Sequence, residues 1–125
     1  IVTGVSRSGH DVGVPFSAVH PVSALPDLVG DADWIVLVIP STRDSRHLFS
    51  REVLARCHGA VLLNAGRGAV LEEAALPEAL AAGWLHGAAL DVFEVEPLPP
   101  ESPLWRDARV MLSPHISGLT TVSTA

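Results

Sequence analysis

Three residues of the sequence could together carry out acid–base chemistry on a carbonyl or hydroxyl group. Arg67 lies in the run NAGRG, Glu96 in VEPLPP and His115 in SPHIS. Arginine can bind a carboxylate through two parallel hydrogen bonds and polarise an adjacent carbonyl group. Histidine exchanges protons near neutral pH, and a glutamate hydrogen-bonded to it stabilises the imidazolium. The set therefore suits reversible, proton-coupled hydride transfer on a 2-oxo acid or a 2-hydroxy acid.

A further carboxylate, Asp91, ends the apolar run GAALD. A carboxylate at the end of a buried strand is costly unless a partner satisfies it. Pairing Glu96 with His115 leaves Asp91 free to contact a cofactor. Each residue taken alone also has an ordinary structural explanation, such as a solvated loop arginine, a turn carboxylate or a histidine that ends a strand.

Apolar periodicity places these residues at the ends of predicted strands. Runs of strand length alternate with segments of helical pattern, which predicts an α/β fold with a doubly wound parallel sheet. The predicted strands are IVTGV, DWIVLVIP, GAVLLNAG, LHGAALDV and RVMLSPH, and the predicted helices lie within 23–32, 41–57 and 71–83.

Local signals refine these elements. Ser41 and Thr42 are candidate N-caps for the helix within 41–57, and Gly83 is a candidate C-cap for the helix within 71–83. The continuous apolar run DWIVLVIP is typical of a strand that is covered on both faces.

Ligands of such sheets bind beyond the carboxyl ends of the strands. Five groups of residues follow predicted strands, so we expect them to converge on one crevice. These groups are Ser6-Arg7-Ser8, Pro40-Ser41-Thr42, Ala65-Gly66-Arg67, Asp91 and His115.

Composition restricts the classes of function. The 125 residues suffice for one small domain, and the formal net charge of −6 argues against a nucleic-acid surface. No apolar run approaches the ~18–20 residues of a membrane span. The single cysteine, Cys57, excludes an internal disulfide framework and indicates a reducing compartment, so we expect a cytoplasmic protein. The histidines share no metal-site spacing, and no metal is expected.

Three consecutive motifs, LLNAGRGAVLEEAAL, GAALDVFEVEP and SPHISGLT, resemble the D-isomer-specific 2-hydroxyacid dehydrogenase family. The similarity covers essentially the whole chain, including DADWIVLVIPSTRDSRHLF. It implies that residues 1–125 are a partial, Rossmann-like NAD(P)-binding domain of a larger two-domain protein. The family's first strand and its G-x-G-x-x-G loop are absent, and IVTGVSRS resembles the second strand. In the strand order 3-2-1-4-5-6, this absence would open the sheet at its centre.

The resemblance also implies roles for single residues. Arg67 would bind the substrate carboxylate and carbonyl, His115 would be the acid/base and Glu96 its partner, with Glu94 a bystander. The intact protein would be a homodimer. The implied cofactor contacts are Ser6, Arg7, Ser8, Pro40, Ala65, Gly66, Arg67, Asp91, His115, Ser117 and Gly118.

The end of the first predicted strand indicates which cofactor is used. Family members that use NAD carry an acidic residue there, which binds the adenosine ribose. Ser6 occupies this position, followed by Arg7 and Ser8, and the nearest acid, Asp11, is poorly placed. An arginine flanked by hydroxyl groups can bind a 2′-phosphate, so we expect a preference for NADP(H) over NAD(H).

Other functions share these residues. A nucleotide-sensing transcriptional corepressor of the same fold would look alike at Arg67, Glu96 and His115, but no partner-binding motif is present. A formate dehydrogenase relative is disfavoured because that branch carries an amide in place of Glu96. A purely structural domain would not need three motifs at this spacing. Glyoxylate, hydroxypyruvate, phosphoglycerate and larger 2-oxo acids all remain open as substrates.

Overall fold

The computed structural model describes residues 1–10, 13 and 15–118, so Asp11 lies outside the described residues. Within this part of the chain, strands alternate with short α- and 3-10 helices. The strands are β1 (Thr3–Ser6), β2 (Ala18–Pro21), β3 (Trp34–Leu37), β4 (Ala60–Asn64), β5 (Leu85–Leu90) and β6 (Val110–Leu112). The α-helices are α1 (Leu25–Leu28), α2 (Arg51–Leu54) and α3 (Leu76–Ala81), and the 3-10 helices are Val22–Ala24, Val29–Asp31, Gly68–Val70, Glu73–Ala75 and Pro103–Arg106.

All strand pairs among these residues are parallel, which confirms the α/β prediction. They form two separate sheets, one of β1 and β2 and one with the order β3-β4-β5-β6. The separation agrees with the prediction that the sheet is open at its centre. The sequence prediction missed β2, because it has only four residues, includes His20 and ends at Pro21, which cannot donate a ladder hydrogen bond.

The segment before α2 is not helical, contrary to the prediction that the helix within 41–57 begins after Ser41 or Thr42. Thr42 and Ser45 bind each other's backbone instead: the Thr42 N–H donates to Ser45 Oγ at 2.8 Å, and the Ser45 N–H donates to Thr42 Oγ1 at 3.1 Å. Such local bonds compete with helix formation. Ser50 is the actual N-cap, because its Oγ accepts a hydrogen bond from the Val53 N–H at 3.4 Å.

The predicted end of α3 is confirmed. Ala82 is the cap residue, and Gly83 follows it with a φ of +77°. This left-handed conformation is accessible to glycine at little cost, so Gly83 ends the helix and returns the chain toward β5.

The prediction that β3 is covered on both faces is wrong. Ile35 and Leu37 are buried, whereas Trp34 and Val36 are 66% and 57% exposed, as is Val38 just after the strand, at 70%. Alternate side chains of a strand point to opposite faces, so one face packs on the core and the residues that the structure describes leave the other uncovered. An apolar run alone does not distinguish a strand covered on both faces from one covered on a single face.

The core lies between the covered face of the four-stranded sheet and the helices. Its largest fully buried side chains are leucines that come from strands, helices and connecting turns alike. They are Leu54, Leu62, Leu71, Leu76, Leu85 and Leu90. None of the described helices is long and apolar enough to cross a membrane.

Candidate active site

His115 and Glu96 form a close pair at the carboxyl end of the four-stranded sheet. Nδ1 of His115 lies 2.7 Å from Oε2 of Glu96, and the other oxygen, Oε1, accepts a hydrogen bond from the Phe93 N–H at 3.0 Å. The bond to His115 and then the bond from Phe93 hold the pKa of Glu96 below its usual value. An ionised Glu96 accepts a hydrogen bond from the protonated Nδ1 of His115. This leaves Nε2 of His115 available for a ligand.

Asp91 binds the loop that carries His115. The sequence suggested that Asp91 is free to contact a cofactor, but the structure gives its carboxylate protein partners. Its side chain is buried, and Oδ1 accepts hydrogen bonds from Ser113 Oγ at 2.5 Å and the Ile116 N–H at 3.0 Å. Oδ2 accepts the Ser117 N–H at 2.9 Å. Burial raises the pKa of Asp91, but the hydrogen bonds from Ser113, Ser117 and Ile116 outweigh burial and hold the pKa well below its usual range.

The backbone of His115 is strained. Its φ is +53°, a left-handed conformation that is uncommon for residues other than glycine. Its N–H donates to the main-chain oxygen of Asp91 at 2.8 Å, while the Asp91 carboxylate accepts hydrogen bonds from Ser113 and Ile116. Strained conformations persist where the surrounding contacts over-determine them and are concentrated at functional sites.

The turn that carries Arg67 is built on the buried amide of Asn64. Oδ1 of Asn64 accepts the Gly66 N–H at 3.2 Å, and its Nδ2 donates to the Arg67 carbonyl at 3.1 Å. Arg67 itself is exposed, and one guanidinium N–H donates to the Gly66 carbonyl at 2.7 Å. The other guanidinium N–H groups have no acceptor among the described residues, so they are available to an anionic ligand.

Gly68 brings the Arg67 turn against the loop that carries Glu96. A Cβ atom at Gly68 would lie 1.9 Å from the carbonyl carbon of Phe93 and 2.6 Å from the nitrogen of Glu94. No side chain fits there, so the backbone of the turn packs directly on the Phe93–Glu94 peptide. Phe93 also donates to Glu96, so the Arg67 turn and the His115–Glu96 pair share one support.

The residues after β3 and β4 are adjacent. The Ala65 N–H donates to the Leu37 carbonyl at 3.1 Å, and a Cβ at Gly66 would lie 2.9 Å from the Ile39 carbonyl oxygen. The Pro40 carbonyl accepts a hydrogen bond from Ser45 Oγ at 2.8 Å. A cavity of about 120 Å³ lies at the ends of β4, β5 and β6, with Asn64, Ala65, Asp91 and Ser113 among its lining residues.

The candidate phosphate-binding residues lie at the end of the other sheet. Ser6 Oγ accepts the Gly9 N–H at 3.0 Å, which forms the turn that follows β1. Arg7 and Ser8 are exposed, and Arg7 has no ion pair with another described residue. Of the five groups that were expected to converge, four follow β3, β4, β5 and β6 and lie at the same end of the four-stranded sheet. The first group, Ser6-Arg7-Ser8, lies at the end of the separate sheet of β1 and β2.

Sequence reasoning missed three residues of this site: Asn64, Gly68 and Ser113. Asn64 could have been found as a polar residue inside an apolar strand pattern, because a buried amide must have hydrogen-bond partners. Ser117 binds Asp91 through its backbone, and Gly118, the last described residue, is exposed.

Within the described residues, no cluster of three or more His, Cys, Asp or Glu side chains could hold a metal ion. Burial raises the pKa of the Cys57 thiol to about 11, so this thiol is unreactive.

Residues 2–117 match the family model described as D-isomer specific 2-hydroxyacid dehydrogenase, NAD binding domain. The chain belongs to this family. The membership confirms the resemblance inferred from the three motifs, and the match spans Arg67, Glu96 and His115.

Individual members of the family are similar over most of the chain. It is 43% identical to glyoxylate/hydroxypyruvate reductase B of Yersinia pestis (strain Pestoides F) over 117 residues, which cover 92% of this chain and 35% of that protein. Phosphoglycerate dehydrogenase from Lactobacillus plantarum superposes with a TM-score of 0.92 at 38% identity, over 98% of this chain and 40% of that one. The NADPH-dependent glyoxylate/hydroxypyruvate reductase of Sinorhizobium meliloti superposes with a TM-score of 0.86 at 35% identity, over 98% and 64%. The chain thus spans about a third of the length of the Yersinia reductase.

Proposed function

We propose that the full-length protein is an NAD(P)-dependent oxidoreductase that interconverts a 2-oxo acid and a D-2-hydroxy acid. The observation that carries this proposal is the His115–Glu96 pair, 2.7 Å apart, supported by the same peptide that packs against the Arg67 turn. The chain's family and its similarity to two glyoxylate/hydroxypyruvate reductases favour the same reaction class.

The residues of the site divide the work of this reaction. Arg67 binds the substrate carboxylate and polarises the neighbouring carbonyl group, because its guanidinium has unused donors. His115 donates the proton on Nε2 to the carbonyl oxygen during reduction and accepts it from the hydroxyl group during oxidation. Glu96 fixes the orientation of the imidazole ring and stabilises the imidazolium. The bound nicotinamide cofactor supplies or accepts the hydride.

The ends of β4, β5 and β6 fit a nicotinamide cofactor. The cavity of about 120 Å³ has apolar walls that include Leu63, Ala89 and Met111, and Asp91 lies on its polar side. Oδ2 of Asp91 retains lone-pair capacity beside the Ser117 N–H, so it can accept a further hydrogen bond from an amide. The other residues proposed to hold the cofactor are Pro40, Ala65, Gly66, Arg67, His115, Ser117 and Gly118.

NADP(H) is the proposed cofactor in preference to NAD(H). Ser6, Arg7 and Ser8 place a cation and hydroxyl groups at the carboxyl end of β1, and the exposed guanidinium of Arg7 is available to a 2′-phosphate. The similar reductase of Sinorhizobium meliloti is NADPH-dependent. Glyoxylate and hydroxypyruvate are the first substrates to test, because the similar proteins of Yersinia pestis and Sinorhizobium meliloti are glyoxylate/hydroxypyruvate reductases. We also propose that the full-length protein is a homodimer and is located in the cytoplasm.

The test is the steady-state reduction of glyoxylate and hydroxypyruvate by the full-length protein and its His115→Ala variant. The loss of general acid–base help should lower kcat by roughly 10²- to 10⁴-fold. His86→Ala is the matched control, because His86 is an exposed histidine on β5, away from the site. Near-normal turnover in His115→Ala would contradict the assignment. A parent protein that binds the nucleotide but reduces no 2-oxo acid would favour the corepressor function.

A further inference from the structure

Glu94 and Glu73 bind each other's backbone. The Glu94 N–H donates to Oε2 of Glu73 at 3.1 Å, and the Glu73 N–H donates to Oε1 of Glu94 at 3.0 Å. The two residues are 21 positions apart. One precedes Glu96 in the loop after β5, and the other lies in the 3-10 helix Glu73–Ala75, just beyond the Arg67 turn. The reciprocal bonds therefore join the segments that carry the two halves of the site.

Two basic residues, His47 and Arg46, lie beside this carboxylate pair. Nε2 of His47 lies 3.1 Å from Oε1 of Glu94, and the Arg46 guanidinium lies 3.9 Å from Oε2. The Glu94 side chain is only 25% exposed. Burial raises the pKa of Glu73; the hydrogen bond from the Glu94 N–H lowers this pKa, and the charge of Glu94 raises it, so that the net shift is upward. A half-buried pair of carboxylates is costly to assemble, so its bonds to two backbone N–H groups favour a positional role.

The peptide that this pair holds is the shared support of the site. The Glu94 nitrogen is one of the atoms that a Cβ at Gly68 would meet, at 2.6 Å. The preceding residue, Phe93, gives its N–H to Glu96. A shift of the Phe93–Glu94 peptide would therefore move Glu96 relative to His115 and alter the packing of the Arg67 turn.

We propose that Glu94 is a positioning residue for the proposed reaction. Together with Glu73, it fixes the spacing between Arg67, which binds the substrate carboxylate, and the His115–Glu96 pair, which exchanges the proton. The expectation that Glu94 is a bystander is correct only for direct contact with His115. This inference rests on the function proposed above.

The test compares kcat, KM and the pH profile of reduction in the full-length protein and its Glu94→Ala variant. A displacement of about 1 Å can cost up to about 10²-fold in rate, so we expect kcat to fall by about 10- to 100-fold and KM to rise as Arg67 moves. Reduction should also fall away at a lower pH than in the parent, because Glu96 holds the imidazolium less well. The titratable and charged groups behind this readout are His115, Glu96 and the ionised Asp91, with His47, Arg46 and Glu73 around Glu94.

Two further variants separate positioning from stability. Glu94→Gln keeps an oxygen acceptor for the Glu73 N–H, so it should restore most of the parent's kcat and pH profile. Glu72→Ala is the matched control, because Glu72 also accepts a backbone N–H, from Arg51 at 2.7 Å, in a contact away from the Phe93–Glu96 loop. Glu73→Ala should reproduce the Glu94→Ala defect, and the double variant should show less than the sum of the two effects.

The outcomes distinguish this inference from the proposed function. If the parent reduces 2-oxo acids and Glu94→Ala keeps its kcat, KM and pH profile, the inference is overturned and the proposed function stands. An equal loss of activity in Glu94→Ala and Glu72→Ala would also overturn the inference, because it would show only a common loss of stability. If the parent reduces no 2-oxo acid, the proposed function fails and this inference fails with it.

Discussion

The backbone of His115 is kept in its strained conformation by hydrogen bonds from its loop to Asp91. The main-chain oxygen of Asp91 accepts the His115 N–H, and its carboxylate binds Ser113, Ile116 and Ser117. The hydrogen bonds keep Asp91 ionised in spite of its burial. One carboxylate thus fixes the loop that aims the imidazole, which answers why an acidic residue ends an apolar strand.

At the residue scale, Arg7 tests the cofactor proposal. In the full-length parent, we expect kcat/KM to favour NADPH over NADH, and Arg7→Ala should reduce that preference by about 10- to 100-fold, as for loss of a charge-assisted hydrogen bond. The exposed Arg106 offers a matched control, since it lies in the 3-10 helix Pro103–Arg106, which contacts β6 of the other sheet. A parent that favours NADH would refute the NADP(H) proposal. A preference for NADPH that survives Arg7→Ala would show that another residue binds the phosphate.

At the scale of elements, Arg109 connects β6 to its neighbours. Its Nε and one terminal nitrogen donate to the Asp107 carboxylate at 2.8 and 2.7 Å, and the other terminal nitrogen donates to the Leu80 carbonyl in α3 at 2.6 Å. The Arg109 carbonyl also accepts the Ala88 N–H from β5 at 3.0 Å. These bonds hold β6, and with it the start of the His115 loop, against α3 and β5.

The Asp107–Arg109 contact should make stability depend on acid pH. The hydrogen bonds from Arg109 lower the pKa of Asp107 to about 2, below its value of 3.8 in an unfolded chain. The contact therefore stabilises the fold above about pH 4, and this stabilisation is lost as the pH falls toward about 2. In the full-length parent, the urea midpoint should be lower at about pH 3 than at about pH 5, and in Asp107→Asn the difference between these two midpoints should be smaller. Asp27→Asn, which removes an exposed ion pair with Arg56, should leave the difference unchanged.

How well the sequence predicted each element depended on how local its determinants are. The long apolar runs of β3, β4 and β5 and the order of the motifs predicted the parallel fold and the His115–Glu96 pair. The bonds of Asp91 to Ser113 and Ile116 are between residues 22 and 25 positions apart, so no local pattern shows them. Likewise, the close approach of Gly68 to Phe93 depends on how two loops pack, which periodicity does not determine.

For the whole molecule, the two separate sheets and the exposed face of β3 predict poor behaviour of residues 1–125 alone. Trp34 and Val36 on β3 are 66% and 57% exposed and Met111 on β6 is 73% exposed, and exposed large apolar side chains favour association. We expect this chain, expressed alone, to associate, to unfold without a sharp transition and to show no dehydrogenase activity. Analytical ultracentrifugation and a thermal melt would check this. Sharp, cooperative unfolding of a monomer would be the contrary result.

The central claim is that Glu96 supports His115 as the proton donor in reduction. The most direct measurement is the pH profile of 2-oxo acid reduction by the full-length protein and its Glu96→Gln variant, with Glu101→Gln, an exposed carboxylate of the same loop, as the control. Reduction needs the protonated imidazole, and the loss of the Glu96 charge removes its stabilisation. We therefore predict that the activity of Glu96→Gln falls away at a lower pH than that of the parent, while Glu101→Gln follows the parent. Superimposable profiles for Glu96→Gln and the parent would contradict the account.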